Sequence, residues 1–231
     1  MIGAAFDHRD SRSGDPDLHT HVAVSVKVRR EDGSWSAMDS QTVHHHIVAL
    51  SERYNTRLED GLRQRLGVTF SDRAGTGRDG KRSIREIDGV PVDLIGAMSS
   101  RRRQVEGNVA ALTRQFEADQ HRVPNRREQE GITQQAVTMG RPSKDQVRSL
   151  GAMRAEWHEQ AVEVLGAGRV AELEAVTLGR HVPTLTRGDV DADRVARTVV
   201  AGIAEGKSTW TRPNVIAEAE RALRPIPLAA G

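Results

Sequence analysis

The chain begins with short apolar runs of the kind that make strands. Ile2 to His8 is one, and Leu18 to Val28 (Leu-His-Thr-His-Val-Ala-Val-Ser-Val-Lys-Val) is a second, rich in β-branched residues. Ser13-Gly14-Asp15-Pro16 between them predicts a turn. Glu31-Asp32-Gly33 predicts a hairpin turn into a short strand over Ser34 to Ala37. The period then lengthens. Val43, Ile47, Leu50, Tyr54, Leu58, Leu62 and Leu66 recur every three or four residues, which predicts a helix capped by Asp39 or Ser40 and ended by Gly67. Val68 to Phe70 and Ser83 to Ile87 predict two further strands, separated by a polar, glycine-rich loop over Ser71 to Lys81 and stopped by Asp88-Gly89.

After residue 90 the helical period prevails. Pro91 is placed in the first turn of a helix carrying Leu94, Ile95, Met98, Val105, Val109, Leu112 and Phe116. The stretch His121 to Arg127, with Pro124, breaks it. A third helix over Glu128 to Thr138 ends before Gly140 and Pro142. A fourth, capped by Ser143, carries Val147, Leu150, Met153, Trp157, Ala161 and Leu165. Beyond Gly166 to Gly168 come short amphipathic helices at Val170 to Val176, Asp193 to Ala204 and Asn214 to Leu223, then a C-terminus, Arg224 to Gly231, that reads as loose. Strands first and helices afterwards predict an α+β fold with a small antiparallel sheet, not a parallel α/β fold. The expected division is a mixed portion over 1–165 and an all-helical tail over 166–231.

Composition narrows the function classes. The chain has no cysteine, which removes disulfides and thiolate zinc sites. No apolar run approaches the roughly 20 residues of a membrane span, and Met1 to Asp7 carries no basic segment ahead of an apolar one, so a cytoplasmic protein is expected. Apolar residues make up 37% and aromatics 3%, which leaves little material for a large core. Of the 34 basic residues only Lys27, Lys81, Lys144 and Lys207 are lysines, and the rest are arginines suited to bidentate phosphate contacts. Genomic codon bias explains the same excess, and a net charge of +2 does not by itself argue for nucleic acid.

The chemistry concentrates in Phe6 to Val28. On a strand, His19 and His21 project to the same face. If the first two strands pair antiparallel, His8 comes beside them. Three imidazoles without a fourth protein ligand leave open positions on a bound metal. Solvent-facing histidines on a strand are the plainer alternative.

The residues around these histidines carry a resemblance. His8, Ser11-Arg12, Asp15-Pro16 and Leu18-His19-Thr20-His21 are similar to the signature of the TrwC/TraI-type (MobF) conjugative relaxases, members of the HUH endonucleases. Asp32-Gly33-Ser34-Trp35, Tyr54 to Gly67, Ile87-Asp88-Gly89-Val90-Pro91 with Ser99 and Arg101, Gln135-Ala136 and Lys144 to Trp157 continue it in order, to about residue 165. The resemblance implies that His8, His19 and His21 hold a divalent cation, Mg²⁺ or Mn²⁺ with Zn²⁺ also compatible. The cation would grip a phosphate of single-stranded DNA at an origin of transfer while a tyrosine attacks. Arg12, Arg101, Arg102 and Arg103 are candidate contacts to the DNA backbone, since phosphate contacts supply sequence-independent affinity, with a surface turn arginine and a solvated helix face as the plainer alternatives. The family's nucleophilic tyrosines lie upstream of the histidine motif. Here the motif starts at residue 8, and the sole tyrosine, Tyr54, falls on the apolar stripe of a helix. The expectation is therefore a relaxase fragment without a catalytic nucleophile or a helicase. It would be unable to nick alone, with the missing N-terminal half or other relaxosome proteins as partners.

Two other patterns are weaker. His44, His45 and His46 are consecutive on a helix and do not face one another. Ala201 to Ser208 approximates a P-loop, yet it follows a helical pattern instead of a buried strand, and Pro213 comes six residues after Lys207. Competing readings are a non-catalytic DNA-binding protein derived from a relaxase and an unrelated three-histidine metal hydrolase.

Overall fold

The computed structural model describes residues 2–74, 76, 83–139, 148–206 and 208–228. In chain order the elements are β1 (Gly3–Asp10), β2 (Pro16–Val24), β3 (Lys27–Arg29), β4 (Trp35–Ala37), α1 (Ser40–Leu66), β5 (Phe70–Asp72), β6 (Arg85–Ile87), α2 (Val92–Ala97), α3 (Ser100–Gln120), α4 (Arg126–Thr138), α5 (Leu150–Leu165), α6 (Ala167–Thr177), α7 (Ala192–Gly206) and α8 (Arg212–Leu223). The α+β expectation holds: three antiparallel pairs, β1–β2, β3–β4 and β5–β6, accompany the helices. The chain divides into two compact units, Met1–Ser25 with Pro91–Ala171, and Val26–Val90 with Glu172–Gly231. The strand expected over Leu18 to Val28 is consequently two, β2 and β3, broken at Ser25 and Val26.

In the first unit α2 packs on α5 and α3 on α4. Among the described residues of this unit the buried apolar side chains are few: Leu94, Ile132, Ala136, Met153, Ala161 and Leu165. The single helix expected from Pro91 to Phe116 is divided. Pro91 is the N-cap of α2, not a first-turn residue, and the helix stops at Met98. The Ser99 hydroxyl donates back to the Ile95 carbonyl at 2.6 Å, so it does not cap α3. Helix α4 starts two residues early because Asn125 and Glu128 form a reciprocal capping box. Helix α5 begins at Leu150 with Ser149 as its cap, accepting from the Ala152 amide at 3.1 Å. Ser143, the expected cap, lies outside the described residues, as do Gly140, Pro142, Lys144 and Val147.

The second unit inverts an expectation. Asp39 caps α1 through the Gln41 and Thr42 amides, as the sequence predicts, and α1 packs on α8. Its apolar stripe is nevertheless exposed at Val43, Ile47, Leu50, Tyr54, Leu58 and Leu66. The buried positions are Ala49, Thr56, Glu59 and Arg63. Ion pairs stand where a hydrophobic seam would be. Glu59 accepts from Arg63 Nη2 at 2.9 Å and from Arg85 Nε at 2.9 and 3.1 Å. Glu52 takes both Arg221 and Arg224, and the Thr56 hydroxyl donates to the Glu220 carbonyl at 3.0 Å. Gly67 ends α1 at φ +63°, and its backbone touches Arg180 so closely that an added Cβ would lie 2.7 Å from the Arg180 nitrogen.

The C-terminus is not loose up to Leu228. The Leu185 amide donates to the Pro227 carbonyl at 2.8 Å, beside a parallel bridge between Leu185 and Leu228. Ala201 to Gly206, the P-loop-like residues, are the last turns of α7, while Lys207 lies outside the described residues. Thr211 caps α8. Among the described residues no helix is long and apolar enough to cross a membrane.

Candidate metal and nucleic-acid site

The β1–β2 pairing sets the histidines. His8 lies opposite His19, and Phe6 opposite His21. Directly opposed residues of an antiparallel pair share a face, and so do residues two apart on one strand. All three imidazoles therefore sit on one side of the ribbon. Their ring centroids are 5.1 Å (His8–His19), 4.7 Å (His8–His21) and 4.9 Å (His19–His21) apart.

That spacing fits a shared cation. Three imidazoles bound facially at a metal–nitrogen distance of about 2.1 Å hold their centroids about 5 Å apart. Orientation differs from spacing: His8 and His19 are stacked at 17°, and among the described residues no three His, Asp or Glu side chains are set for joint ligation. His19 has its tautomer fixed. Its Nδ1 lies 2.8 Å from the Asp17 carbonyl oxygen, which only accepts, so Nδ1 carries a hydrogen and Nε2 is the nitrogen that bears the lone pair whenever the ring is neutral.

The ribbon is fastened to the helices at its tip. The turn from Ser11 to Asp15 closes through the Ser11 amide to the Asp15 carbonyl at 2.9 Å, with Gly14 at φ +88°. Asp15 is buried. Its carboxylate accepts from the Ser100 hydroxyl at 2.6 Å, the Arg101 amide at 3.1 Å and the Ser11 hydroxyl at 3.1 Å. Burial opposes ionisation of Asp15, but the bonds from Ser100, Arg101 and Ser11 outweigh it and hold the carboxyl below its ordinary value. Arg148 pairs with Asp10 at 3.3 Å, and the Trp157 indole N–H donates to the Gly14 carbonyl.

A cleft of about 540 Å³ lies beside this tip, lined by Asp15, Asp17, Arg101, Arg102 and Glu106 among others. The candidate arginines differ in their commitments. Arg12 stands exposed on the turn. Arg101 donates to the Val137 carbonyl at 2.6 Å and ties α3 to the end of α4. Arg102 pairs with Glu106 at 2.8 Å on the surface, and Arg103 reaches the Ala97 carbonyl at 3.2 Å. His44 and His45 lie exposed on the first turns of α1, and His46 is half-buried, its Nδ1 bonding the Thr42 carbonyl at 2.9 Å. The sequence reading missed the reach of Asp15. The Asp15-Pro16 pair was legible as a turn and as part of the relaxase-like signature, and the local signal for its partner is the Ser99-Ser100 doublet at the helix break.

The sequence matches the TrwC relaxase family over residues 1–164. The chain belongs to that family. The membership sets aside a three-histidine hydrolase unrelated to relaxases. The multifunctional conjugation protein TraI of Escherichia coli K12 is 26% identical across 97% of this chain and 12% of TraI. A second Escherichia coli TraI is 30% identical over 117 residues, 48% of this chain and 6% of that one. Among solved structures, the conjugative relaxase TrwC in complex with mutant oriT DNA matches at TM-score 0.52 and 27% identity, covering 70% of this chain and 51% of that one. Copper-bound TrwC with oriT DNA matches at TM-score 0.53 and 28% identity, over 69% and 48%. The chain thus spans about half the length of these TrwC chains and a small part of TraI.

Proposed function

We propose that residues 1–165 form the metal-holding and DNA-holding portion of a conjugative relaxase, acting on single-stranded DNA at an origin of transfer, with residues 166–231 as a helical extension. The observation that carries this reading is the convergence of His8, His19 and His21 on one face of the β1–β2 ribbon at spacings suited to one cation. Relatives described as bound to both metal and oriT DNA support it.

In this reading His8, His19 and His21 hold a divalent ion, Mg²⁺ or Mn²⁺ with Zn²⁺ also compatible with imidazole donors. When bound, the ion supplies Lewis-acid neutralisation of the charge on a phosphate. The chain's own residues do the rest. The Asp17 carbonyl keeps the His19 Nε2 free. Arg12 at the hairpin tip holds the DNA backbone, and so does Arg102, whose exposed pair with Glu106 exchanges readily for a phosphate. Arg101 and Arg103 are tied to backbone carbonyls, and they extend the positive field along the start of α3.

Strand cleavage also needs a nucleophile. Tyr54 is the sole tyrosine and is exposed on α1 among apolar neighbours. No residue is assigned that role, and the chain is proposed to bind but not to nick alone. A polypeptide carrying the nucleophile, or another relaxosome protein, completes the reaction. The test uses the purified chain, Mn²⁺ and single-stranded oligonucleotides bearing candidate origin sequences. Mn²⁺-dependent binding lost in His19→Ala and His21→Ala, without a covalent adduct, is the expected result. Salt-sensitive binding indifferent to Mn²⁺ and to both substitutions would sink the metal reading. A covalent adduct lost in Tyr54→Phe would sink the binding-only reading.

A further inference from the structure

The break between α2 and α3 leaves the first amides of α3 without a cap of their own, because the Ser99 side chain turns back to Ile95. Asp15 fills that position from the other end of the unit's sequence, at Oδ1 for the Ser100 hydroxyl and Oδ2 for the Arg101 amide. A carboxylate at a helix N-terminus is favoured both by the open N–H groups and by the helix dipole. Its own turn holds it in place, with the Ser11 hydroxyl bonded to the same Oδ2 and the Asp15 amide donating back to the Ser11 Oγ at 3.2 Å. Asp15 is thus the link that is at once part of the histidine ribbon's turn and part of the basic helix's cap.

We propose that Asp15 is a positioning residue: it locks the tip of the histidine ribbon onto the start of α3, and so fixes the imidazole cluster relative to the Arg101–Arg103 run. The functional half of this statement rests on the metal-and-DNA reading above. The geometric half does not. Ligation needs only the ribbon, because His8, His19 and His21 all lie on it. Joint grip of one DNA strand by metal and arginines needs ribbon and helix in a fixed relation, which is what Asp15 supplies. Charge-assisted bonds in a buried setting are the strong class of hydrogen bond, which makes this link firmer than the half-buried Arg148–Asp10 pair.

The test exploits the absence of cysteine. Spin labels at Ala23→Cys on β2 and Ala111→Cys on α3 report the ribbon-to-helix distance in the full chain by pulsed electron paramagnetic resonance. The parent is expected to give one narrow distribution. Asp15→Ala is expected to broaden it with helical content retained, while Asp15→Asn, which keeps an oxygen to accept from the Arg101 amide, restores most of the narrowness. If Asp15→Ala does not fold, Asp15→Ser decides, since it suits the turn but is too short to reach Ser100. A distribution as narrow as the parent's in the folded variant overturns the proposal. In parallel, Mn²⁺ binding and the Mn²⁺-dependent gain in affinity for a single-stranded oligonucleotide are measured. Asp15→Ala is expected to keep the first and lose the second, and keeping the gain overturns the functional half. A parent with no such gain overturns it too, along with the metal reading, while the distance distributions still decide whether Asp15 fixes the geometry.

Discussion

Trp157 of α5 donates its indole N–H to the carbonyl oxygen of Gly14 at 2.7 Å, across 143 positions of sequence. Trp157→Phe keeps an aromatic ring at this position and removes the indole N–H together with part of the bicycle. It is expected to cost about 0.5–1.5 kcal/mol, the usual net value of one such bond, read as a lowered urea midpoint. A midpoint equal to the parent's would show that the bond contributes nothing at this tip.

Glu59 is the carboxylate around which the second unit is built, since it neutralises the buried Arg63 and also Arg85. Removing one partner of a buried ion pair strands the others. Glu59→Ala is therefore expected to destabilise by about 3–5 kcal/mol, checked by equilibrium denaturation. A loss below about 1 kcal/mol would mean that water solvates these guanidinium groups.

The exposed stripe of α1 leads to the opposite expectation. Ile47 and Leu50 are more than half exposed, so Ile47→Gln and Leu50→Gln should each change stability by no more than about 0.5 kcal/mol. Losses of about 2 kcal/mol or more, the range for buried aliphatics, would contradict the inverted packing of this helix.

Glu128 sets an acid limit. Its hydrogen bond from Arg122 and that from the Asn125 amide draw its carboxyl from 4.5 down to about 2. A carboxylate depressed on folding stabilises fully above its unfolded value, and that contribution is lost as pH falls through the folded one. Urea midpoints should thus fall between pH 4.5 and about 2 by an amount that Glu128→Gln removes. An identical acid profile in Glu128→Gln would refute the assignment.

Much of this structure was legible in local chemistry. Asp39 and Gly67 bound α1 because caps are read from single residues, and His8, His19 and His21 cluster because strand alternation and one turn suffice to pair them. The misread features depend on distant partners. The break at Ser99 persists because Asp15, 85 positions from Ser100, satisfies the helix start it creates. The apolar stripe of α1 predicted the helix correctly but not its buried side. Glu59 and Arg63 are buried because Arg85 and the Glu52–Arg221–Arg224 group share their charges, and no spacing rule reports that. The described part of the C-terminal segment is held by the bridge to Leu185 and by the Arg224–Glu52 pair, and neither carries a sequence pattern.

The direct opposition of His8 and His19 makes the turn between them a ruler. Side chains alternate faces along a strand, so adding or removing one residue between Ser11 and Asp15, with the irregularity between His8 and Asp10 kept as it is, re-registers β1 by one position and carries His8 to the reverse side of the ribbon. If the three imidazoles hold Mn²⁺ as proposed, deleting Ser13 is expected to abolish that binding with every imidazole still in the sequence, and an insertion restoring the count should recover it. In this ribbon, counting residues matters as much as choosing them.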